Sequence, residues 1–288
     1  MKKLLAFISA IVLLSACQDV IELNTETYKT TLVIDGRITD TLGTSVKLST
    51  TANYFEQGET PSVNNATVTL YENNVPVAVL EKSTSESGLF TSPFNGEVGN
   101  TYFLLIEVAN DNATGLGGTT WQTNTQMLHR TFAFDSLSIK YLDENTTPLS
   151  INAGQFVLGY FTEPQGVGDF YRLRYWKNDS FITQSLDILT DEFSDGVSFG
   201  TYPIPPYVVY GAIDEDKDSI TIEVSSISED YYDYLTLLRE QIFQVSSPFS
   251  APPALIQGNV YNANNPQEFG FGYFEASALS RSSIVFNP

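Results

Sequence analysis

The chain has 288 residues, of which 42% are hydrophobic and 13% aromatic, and its formal net charge at neutral pH is −20. This apolar content is enough to build packed cores, so the composition excludes an intrinsically disordered chain. The negative charge repels nucleic-acid phosphates and anionic lipid headgroups, so no nucleic-acid partner is expected. A chain of this length favours two domains over one.

The N-terminus has the layout of a secretory signal that ends at a lipidation site. Lys2 and Lys3 precede an apolar run, Leu4–Leu14, that is too short to span a bilayer. The sequence Leu14-Ser15-Ala16-Cys17 follows at once and resembles the bacterial lipobox, in which the cysteine thiol receives a diacylglycerol. We therefore predict a signal peptide over residues 1–16 and a lipid membrane anchor at Cys17, stable because each buried methylene adds about 0.8 kcal/mol. An ordinary secreted protein with an N-terminal cysteine is the alternative.

The residues after Cys17 indicate which membrane holds the anchor. Gln18 stands where an aspartate would resemble an inner-membrane retention signal, so the outer membrane is favoured. Asp19 and Glu22 resemble an acidic surface-export tag, and a solvated tether over residues 17–29 is the alternative explanation for them. We expect a lipid-anchored outer-membrane protein, with exposure at the cell surface as a further option.

The counts of cysteine and histidine exclude several kinds of chemistry. Cys17 is the only cysteine and the lipid consumes it, so no disulfide, thiol nucleophile or thiolate metal site is left. His129 is the only histidine, which excludes a zinc site with several imidazoles within one chain. His129 is expected to be a surface or boundary residue. The sequence predicts no catalytic residue and no enzyme.

Short runs rich in β-branched and aromatic residues follow the tether, separated by turn signals. The runs cover residues 31–38, 45–49, 66–72, 75–82, 88–92, 101–108 and 119–125. Asn73-Asn74 lies between two of them and predicts a hairpin, because asparagine tolerates positive φ. Roughly seven short strands of this kind predict an immunoglobulin-like Greek-key β-sandwich over residues 30–127.

A second β-rich domain is predicted over residues 128–288. Its strand-like runs cover residues 132–141, 155–161, 169–176 and 219–225. A period of two gives the run Asp169–Trp176 two different faces. One face carries Tyr171, Leu173 and Tyr175, and the other carries Arg172, Arg174 and Trp176.

One amphipathic helix is predicted in this second domain, at about residues 228–245. Ser228 is a good N-cap, and Glu229 and Asp230 add negative charge to the first turn, where the helix dipole favours it. The apolar residues at helical spacing are Tyr231, Tyr234, Leu235, Leu238 and Ile242. Such a stripe is typical of packing against a sheet, and an aromatic ligand platform is the alternative.

The stretch from Asp191 to Tyr210 is the candidate ligand-binding loop. It is rich in glycine, proline and tyrosine, and its prolines prevent a regular strand ladder. Long loops on a rigid β-scaffold commonly carry binding residues. Tyr202, Tyr207 and Tyr210 are therefore the candidate ligand-binding side chains.

Asp214, Asp216 and Asp218 lie in the densest group of carboxylates and are the candidate metal ligands. Acids at every second position can direct oxygens at one hard cation, as at the start of a calcium-binding loop. The full loop needs a glycine and a twelfth-position glutamate where this chain has Ser219 and Ser225. A charged turn is the alternative to calcium, and no other cofactor is predicted.

The order of several short motifs resembles the lipoprotein family known as domain of unknown function 4249. Behind Cys17 and its acidic tail, the motifs are Leu32–Thr39, Val46–Ser49, Tyr54, Val63–Leu70, Gly99–Ile106, Asp169–Tyr171, Ile222–Tyr234, Pro248-Phe249, Pro252, Gly258–Val260 and Phe269–Tyr273. The resemblance covers nearly the whole chain. One departure is Tyr261–Glu268, which replaces a glycine-rich stretch of the family.

The resemblance implies an outer-membrane lipoprotein of Bacteroidota with a transthyretin-like first domain, often encoded beside TonB-dependent transporters. It carries over no catalytic residues. The expected function is therefore non-enzymatic binding, as accessory partner of a TonB-dependent transporter or other outer-membrane β-barrel in nutrient uptake. The alternatives are a stand-alone surface adhesin or glycan-binding module and, more weakly, a hydrolase with paired carboxylates, although no motif selects such a pair.

Overall fold

The computed structural model describes residues 29–52, 60–110, 114–143, 154–182, 186–203, 218–243 and 255–286. Across this part the chain folds mainly into β-strands, with one α-helix, which confirms the predicted mainly-β fold class. Within the same residues no helix is long and apolar enough to cross a membrane.

The elements are numbered in chain order. Those up to residue 127 are β1 (Leu32–Thr39), β2 (Thr44–Thr50), β3 (Ala66–Glu72), β4 (Val75–Val79), β5 (Glu81–Lys82), β6 (Leu89–Ser92), β7 (Thr101–Val108), β8 (Thr120–Thr123) and β9 (Gln126–Met127). Those after it are β10 (Phe134–Leu142), β11 (Gly154–Thr162), β12 (Phe170–Lys177), β13 (Ser180–Phe181), β14 (Asp187–Thr190), β15 (Ser198–Pro203), β16 (Ser219–Ile227), α1 (Glu229–Phe243), β17 (Val260–Asn262), β18 (Asn265–Phe269), β19 (Phe271–Ser277) and β20 (Leu279–Val285).

Two sheets form a β-sandwich that contains the N-terminal strands. Sheet 1 has the order β19-β1-β2-β6-β5, and sheet 2 has the order β18-β17-β8-β7-β3-β4, with β9 beside β7. Their inward side chains share one core that includes Ile34, Leu104 and Trp121. The alternation of buried and accessible residues along β7 is strict. Asn73 and Asn74 have positive φ in the β3–β4 hairpin, which confirms the predicted turn.

Strands from the C-terminal end of the chain complete this sandwich. β17 pairs with β8 in sheet 2, and β19 pairs in parallel with β1 in sheet 1, with Arg37 opposite Glu275. The sheets therefore do not follow the sequence division at residue 127, because residues 260–277 lie with the N-terminal strands. The local periodicity of a run shows that it is a strand, but it does not show which distant strand it pairs with. Parallel strands need a long connection, so their pairing joins residues that are far apart in the sequence.

Sheets 3 and 4 enclose a second core. Sheet 3 has the order β10-β11-β15, and sheet 4 has the order β13-β12-β16-β20, with β14 beside β12. Tyr171, Leu173 and Tyr175 of β12 lie in this core, which confirms the predicted apolar face of that strand. Phe132 stacks on Phe161 at a centroid distance of 4.4 Å in the same core.

Helix α1 begins where the sequence predicted it. The backbone N–H of Tyr231 donates to Ser228 Oγ at 3.3 Å, which is the N-cap hydrogen bond. Tyr231 and Leu235 are the buried residues of the helix. Tyr231 stacks on Tyr273 of β19 at 4.3 Å between ring centroids, so the aromatic stripe packs against a sheet.

The two cores are joined by consecutive strands. β19 belongs to sheet 1 and β20 to sheet 4, and Ala278 alone separates them. The backbone N–H of Ala278 donates to Ser226 Oγ at 2.9 Å, and Ser226 Oγ donates to the carbonyl oxygen of His129 at 2.6 Å. His129 thus lies at the boundary between the cores. The relative position of sheets 1 and 4 depends on this junction.

A glycine at the start of β19 allows the parallel pairing with β1. Gly272 has a φ of +79°, and a Cβ there would lie 1.9 Å from the carbonyl oxygen of Ile34 on β1. Any side chain would therefore combine backbone strain with a backbone clash. Only glycine fits this contact without moving one of the two strands.

We expect Gly272→Ala to lower the free energy of unfolding by at least about 2 kcal/mol, because alanine must adopt positive φ and displace β1. Gly200→Ala is the matched control, since a Cβ at Gly200 meets no atom within 4 Å. It should change the stability by no more than about 0.5 kcal/mol. Denaturant unfolding measures both, and equal values for the two variants would contradict the role assigned to Gly272.

Candidate functional site

A cleft of about 380 Å³ lies between sheets 1 and 4, and we call it the arginine cleft. Arg37 of β1, Lys47 of β2 and Glu275 of β19 line it from sheet 1. Arg172, Arg174 and Trp176 of β12 line it from sheet 4. Asp35, Ser45, Glu86, Leu89 and Phe181 complete the lining. The volume is within the range of about 300–1,000 Å³ that small-molecule sites occupy.

The period of the strands explains why these side chains meet. On β12, Tyr171, Leu173 and Tyr175 enter the second core, so the residues between them face sheet 1. On β19, Phe274 and Ala276 enter the first core, so Glu275 faces sheet 4. The face of sheet 1 that points away from the first core is thus one wall of the cleft, and the face of sheet 4 that points away from the second core is the other wall.

Cross-strand pairing arranges the charges in rows. Arg174 of β12, Glu223 of β16 and Arg281 of β20 lie directly opposite one another across sheet 4. Arg37 and Glu275 lie opposite each other across sheet 1. Opposite charges at such positions stabilise neighbouring strands.

The two rows are connected by ion pairs around Glu223, whose side chain is 0% exposed. Its carboxylate oxygens lie 3.3 Å from Arg37 Nη1, 3.4 Å from Arg174 Nη1 and 2.7 Å from Arg281 Nη2. Arg174 Nη2 also lies 2.5 Å from Glu275 Oε1 on sheet 1. The network therefore ties sheet 1 to sheet 4 at the base of the cleft.

The contact between the two sheets keeps Glu275 and Arg174 charged. Burial alone would raise the pKa of Glu275, but Arg174, Arg172 and Arg37 outweigh it and hold that pKa below its usual value. Burial alone would lower the pKa of Arg174, but Glu275 and Glu223 hold it above its usual value. Around neutral pH, Glu275 is therefore an anion and Arg174 a cation.

Arg172 lines the cleft but is not part of the ion-pair network around Glu223. Its Nη1 donates to the hydroxyl oxygen of Tyr231 at 2.7 Å. Among the described residues no carboxylate lies within ion-pair distance of Arg172. Burial, followed by the charge of Glu275, raises the pKa of Tyr231, so its phenol stays neutral.

Two aromatic rings form one side of the cleft. Trp176 and Phe181 are 5.3 Å apart between ring centroids, with an angle of 49° between their planes. The guanidinium carbon of Arg281 lies 4.8 Å from the centroid of Trp176, a cation–π contact. Phe181 is 47% exposed, so this ring of the aromatic wall is open to a ligand.

Glu163, Asp191 and Asp195 are the described residues that could hold a metal ion, since their carboxylate oxygens lie within 4.8 Å of one another. Several of these oxygens already accept hydrogen bonds. Tyr171 Oη donates to Glu163 at 2.9 Å, the Gly196 N–H donates to Glu163 at 2.7 Å, and the Gly168 N–H donates to Asp191 at 2.9 Å. In the described contacts the cluster therefore holds two loops together.

The ligand-binding and metal-binding residues that the sequence predicted are not part of the arginine cleft as far as they are described. Asp218 is buried, accepts from Asn178 Nδ2 at 2.8 Å and lies 2.8 Å from Lys177 Nζ. Tyr202 lies in β15, and its side chain is outside the described part of the chain. Of the predicted site residues, five lie outside the described ranges, namely Cys17, Tyr207, Tyr210, Asp214 and Asp216. Lipidation, loop binding and calcium binding stay predictions.

A Gly-x-Ser-x-Gly pattern at residues 196–200 was missed in the sequence reasoning. In a hydrolase this pattern places the serine on a sharp turn between a strand and a helix. Here Ser198 is the first residue of strand β15, and its hydroxyl pairs with that of Thr162 at 3.0 Å. The serine is therefore not held as a nucleophile in such a turn.

Sequence reasoning also missed the arginine cleft. The alternation in β12 correctly separated Arg172, Arg174 and Trp176 from the apolar face, but it did not show what they face. Arg37 and Glu223 are 186 residues apart. A buried glutamate in an otherwise regular strand such as β16 is the one signal that indicates a charged partner, because an unpaired buried charge is costly.

The family model described as "Domain of unknown function (DUF4249)" matches residues 18–283, which confirms the predicted resemblance. The match covers every residue that lines the arginine cleft and all strands from β1 to β19, and it ends within β20. No curated protein shows a significant match to the chain.

We expect Glu223→Gln to lower the free energy of unfolding by about 3 kcal/mol, because it leaves three guanidinium groups around a neutral amide. Glu86→Gln is the matched control. Glu86 pairs with Lys47 in an exposed contact, and loss of such a pair costs no more than about 1 kcal/mol. Denaturant unfolding at neutral pH compares the two, and a smaller loss for Glu223→Gln than for Glu86→Gln would contradict the account of the network.

Acid should weaken the connection between the sheets. The pKa of Glu275 is lower in the folded chain than its ordinary value of 4.5, so its contribution to stability is present above about pH 4.5 and is lost as the pH falls towards the folded pKa. The stability difference between the wild type and Glu275→Gln should therefore be largest near neutral pH and narrow on acidification. Denaturant unfolding at a series of pH values measures it, and a difference that is constant from about pH 3 to about pH 7 would rule the effect out.

Proposed function

The chain belongs to the DUF4249 family, and we propose that it is a non-enzymatic binding protein that captures a nutrient for an outer-membrane transporter. The arginine cleft holds the ligand in this proposal. The lipid at Cys17 keeps the protein at the outer membrane. A TonB-dependent transporter or another outer-membrane β-barrel then receives the ligand.

The observation that carries the proposal is the fixed charge of the cleft. General acid–base catalysis works best with a group whose pKa lies near the operating pH. In the cleft the pKa of Glu275 is held low and that of Arg174 high. Groups with these pKa values attract and orient a ligand, but they neither take up nor release a proton near pH 7. This favours binding over acid–base chemistry.

The rigidity of the cleft supports the same conclusion. Its walls are mainly strands of sheets 1 and 4, and Arg37 and Arg174 are held by carboxylates at 2.5–3.4 Å. A binding site whose side chains are already ordered loses less conformational entropy when a ligand enters. The chain would therefore bind its ligand without a large rearrangement.

The membrane anchor supports the proposed location. The lipobox-like sequence ends at Cys17, and a tether of about a dozen residues separates it from the first described residue, Lys29. A chain of that length can reach at most about 40 Å. The body would thus stay close to the membrane, where a transporter could receive the ligand.

A stand-alone glycan-binding adhesin is the second candidate function. The aromatic wall of Trp176 and Phe181 favours it, since sugar rings stack on aromatic faces. The two candidates make the same prediction for the cleft and different predictions for the partner. An adhesin would work without a transporter.

Affinity purification from membranes of the native host distinguishes them. The tagged chain, extracted in mild detergent after chemical cross-linking, should recover one outer-membrane β-barrel protein in a near-stoichiometric amount. Cys17→Ser is the control, because it removes the lipidation site and should move the chain out of the membrane fraction and lose the barrel. Recovery of the lipidated chain alone would contradict the transporter partnership and favour the adhesin.

A further inference from the structure

We infer that the ligand of the arginine cleft is an acidic sugar, a hydroxyl-rich ring that carries a carboxylate. The inference deepens the proposed binding function. It rests on one part of that proposal, namely that the ligand binds in the arginine cleft. Three observations carry it: the sign of the charge in the cleft, the position of Arg172, and the aromatic wall beside it.

The cleft is positive although the chain is strongly negative. Four of the 14 lysine and arginine residues line it, namely Arg37, Lys47, Arg172 and Arg174, together with three carboxylates. Adding Glu223 and Arg281, which contact its base, gives five cations and four anions. A local positive excess in a chain of net charge −20 attracts anions to the cleft.

Arg172 is the side chain that would hold the carboxylate. The other arginines of the network already face carboxylates, whereas Arg172 is held by the neutral phenol of Tyr231 at 2.7 Å. Tyr231 is in turn stacked on Tyr273, so the guanidinium is fixed before a ligand arrives. A guanidinium binds a carboxylate through parallel N–H donors, and this geometry makes such pairs strong.

The remaining lining selects a sugar rather than a simple anion. Phe181 and Trp176 offer an apolar wall on which a ring can stack. Ser45 and the exposed carboxylates of Asp35 and Glu86 offer acceptors for hydroxyl groups. An inorganic anion would use the arginine but not the wall, and a neutral sugar would use the wall but leave Arg172 without a counter-ion.

Titration calorimetry on the purified lipidated chain in detergent tests the inference with four probes. They are a dimer of galacturonic acid, the matched neutral dimer of galactose, inorganic phosphate and an acidic dipeptide. We expect the galacturonic acid dimer to bind at least about tenfold more tightly than the other three, with an affinity that falls as salt is added. An equally tight complex with phosphate would mean a simple anion site, and a tighter complex with the dipeptide would mean a peptide site. Either result would overturn the inference, as would no measurable binding.

Three variants locate the site. Arg172→Gln should weaken binding of the galacturonic acid dimer at least about tenfold, and Phe181→Ala should weaken it several-fold because the stacking wall is lost. Phe181 is half exposed at the rim, so its truncation leaves the cores intact. Phe181→Ala therefore still tests the site if Arg172→Gln fails to fold. Lys140→Gln, which removes an exposed positive charge on β10, is the control and should bind as the wild type does. Unchanged binding in both cleft variants would overturn the assignment.

The same samples separate this inference from the proposed function. Analysis of the galacturonic acid dimer after long incubation should show it intact. If the dimer binds but is cleaved, the non-enzymatic function fails while the ligand class stands. If it binds and no barrel is recovered from membranes, the transporter partnership alone fails.

Discussion

Arg174 lies between two buried carboxylates, Glu223 on its own sheet and Glu275 on the neighbouring sheet. Buried charges are costly unless they are paired, so this contact fixes the distance between the two sheets at the point where they meet. The same contact lies at the base of the cleft and keeps Glu275 and Arg174 charged near neutral pH. The architecture and the proposed binding site therefore depend on one set of ion pairs.

The path of the chain supports that contact. β19 completes the first sandwich beside β1, and β20 completes the sheet of the second core, with Ala278 alone between them. The segment formed by β19 and β20 thus places Glu275 beside Arg174 and Arg281 beside Glu223. The C-terminal strands thus contribute to the sheets of both cores.

The sequence predicted the features that depend on local spacing. It predicted the strands up to residue 125, the strands β10, β11, β12 and β16, the Asn73-Asn74 hairpin, the helix cap at Ser228 and the two faces of β12. The expectation that prolines keep the stretch after Asp191 out of a regular ladder was wrong for Ser198–Pro203, which form β15 beside β11. It did not predict that β17 and β19 return to the N-terminal sandwich, because strand periodicity carries no information about distant partners. The cleft was missed for the same reason, since it is formed by residues such as Arg37 and Glu223 that are far apart in the chain. The binding residues expected in the tyrosine-rich stretch rest on composition and loop character, and their role stays a prediction.

The central claim is that the arginine cleft binds an acidic sugar through Arg172 and the Trp176–Phe181 wall. A crystal structure of the chain soaked with the galacturonic acid dimer tests it most directly. The account predicts electron density for a sugar ring against Phe181, with the carboxylate within hydrogen-bond distance of the Arg172 guanidinium and the ion pairs of Glu223 unchanged. Density for the dimer elsewhere on the molecule, with an empty cleft, would contradict it.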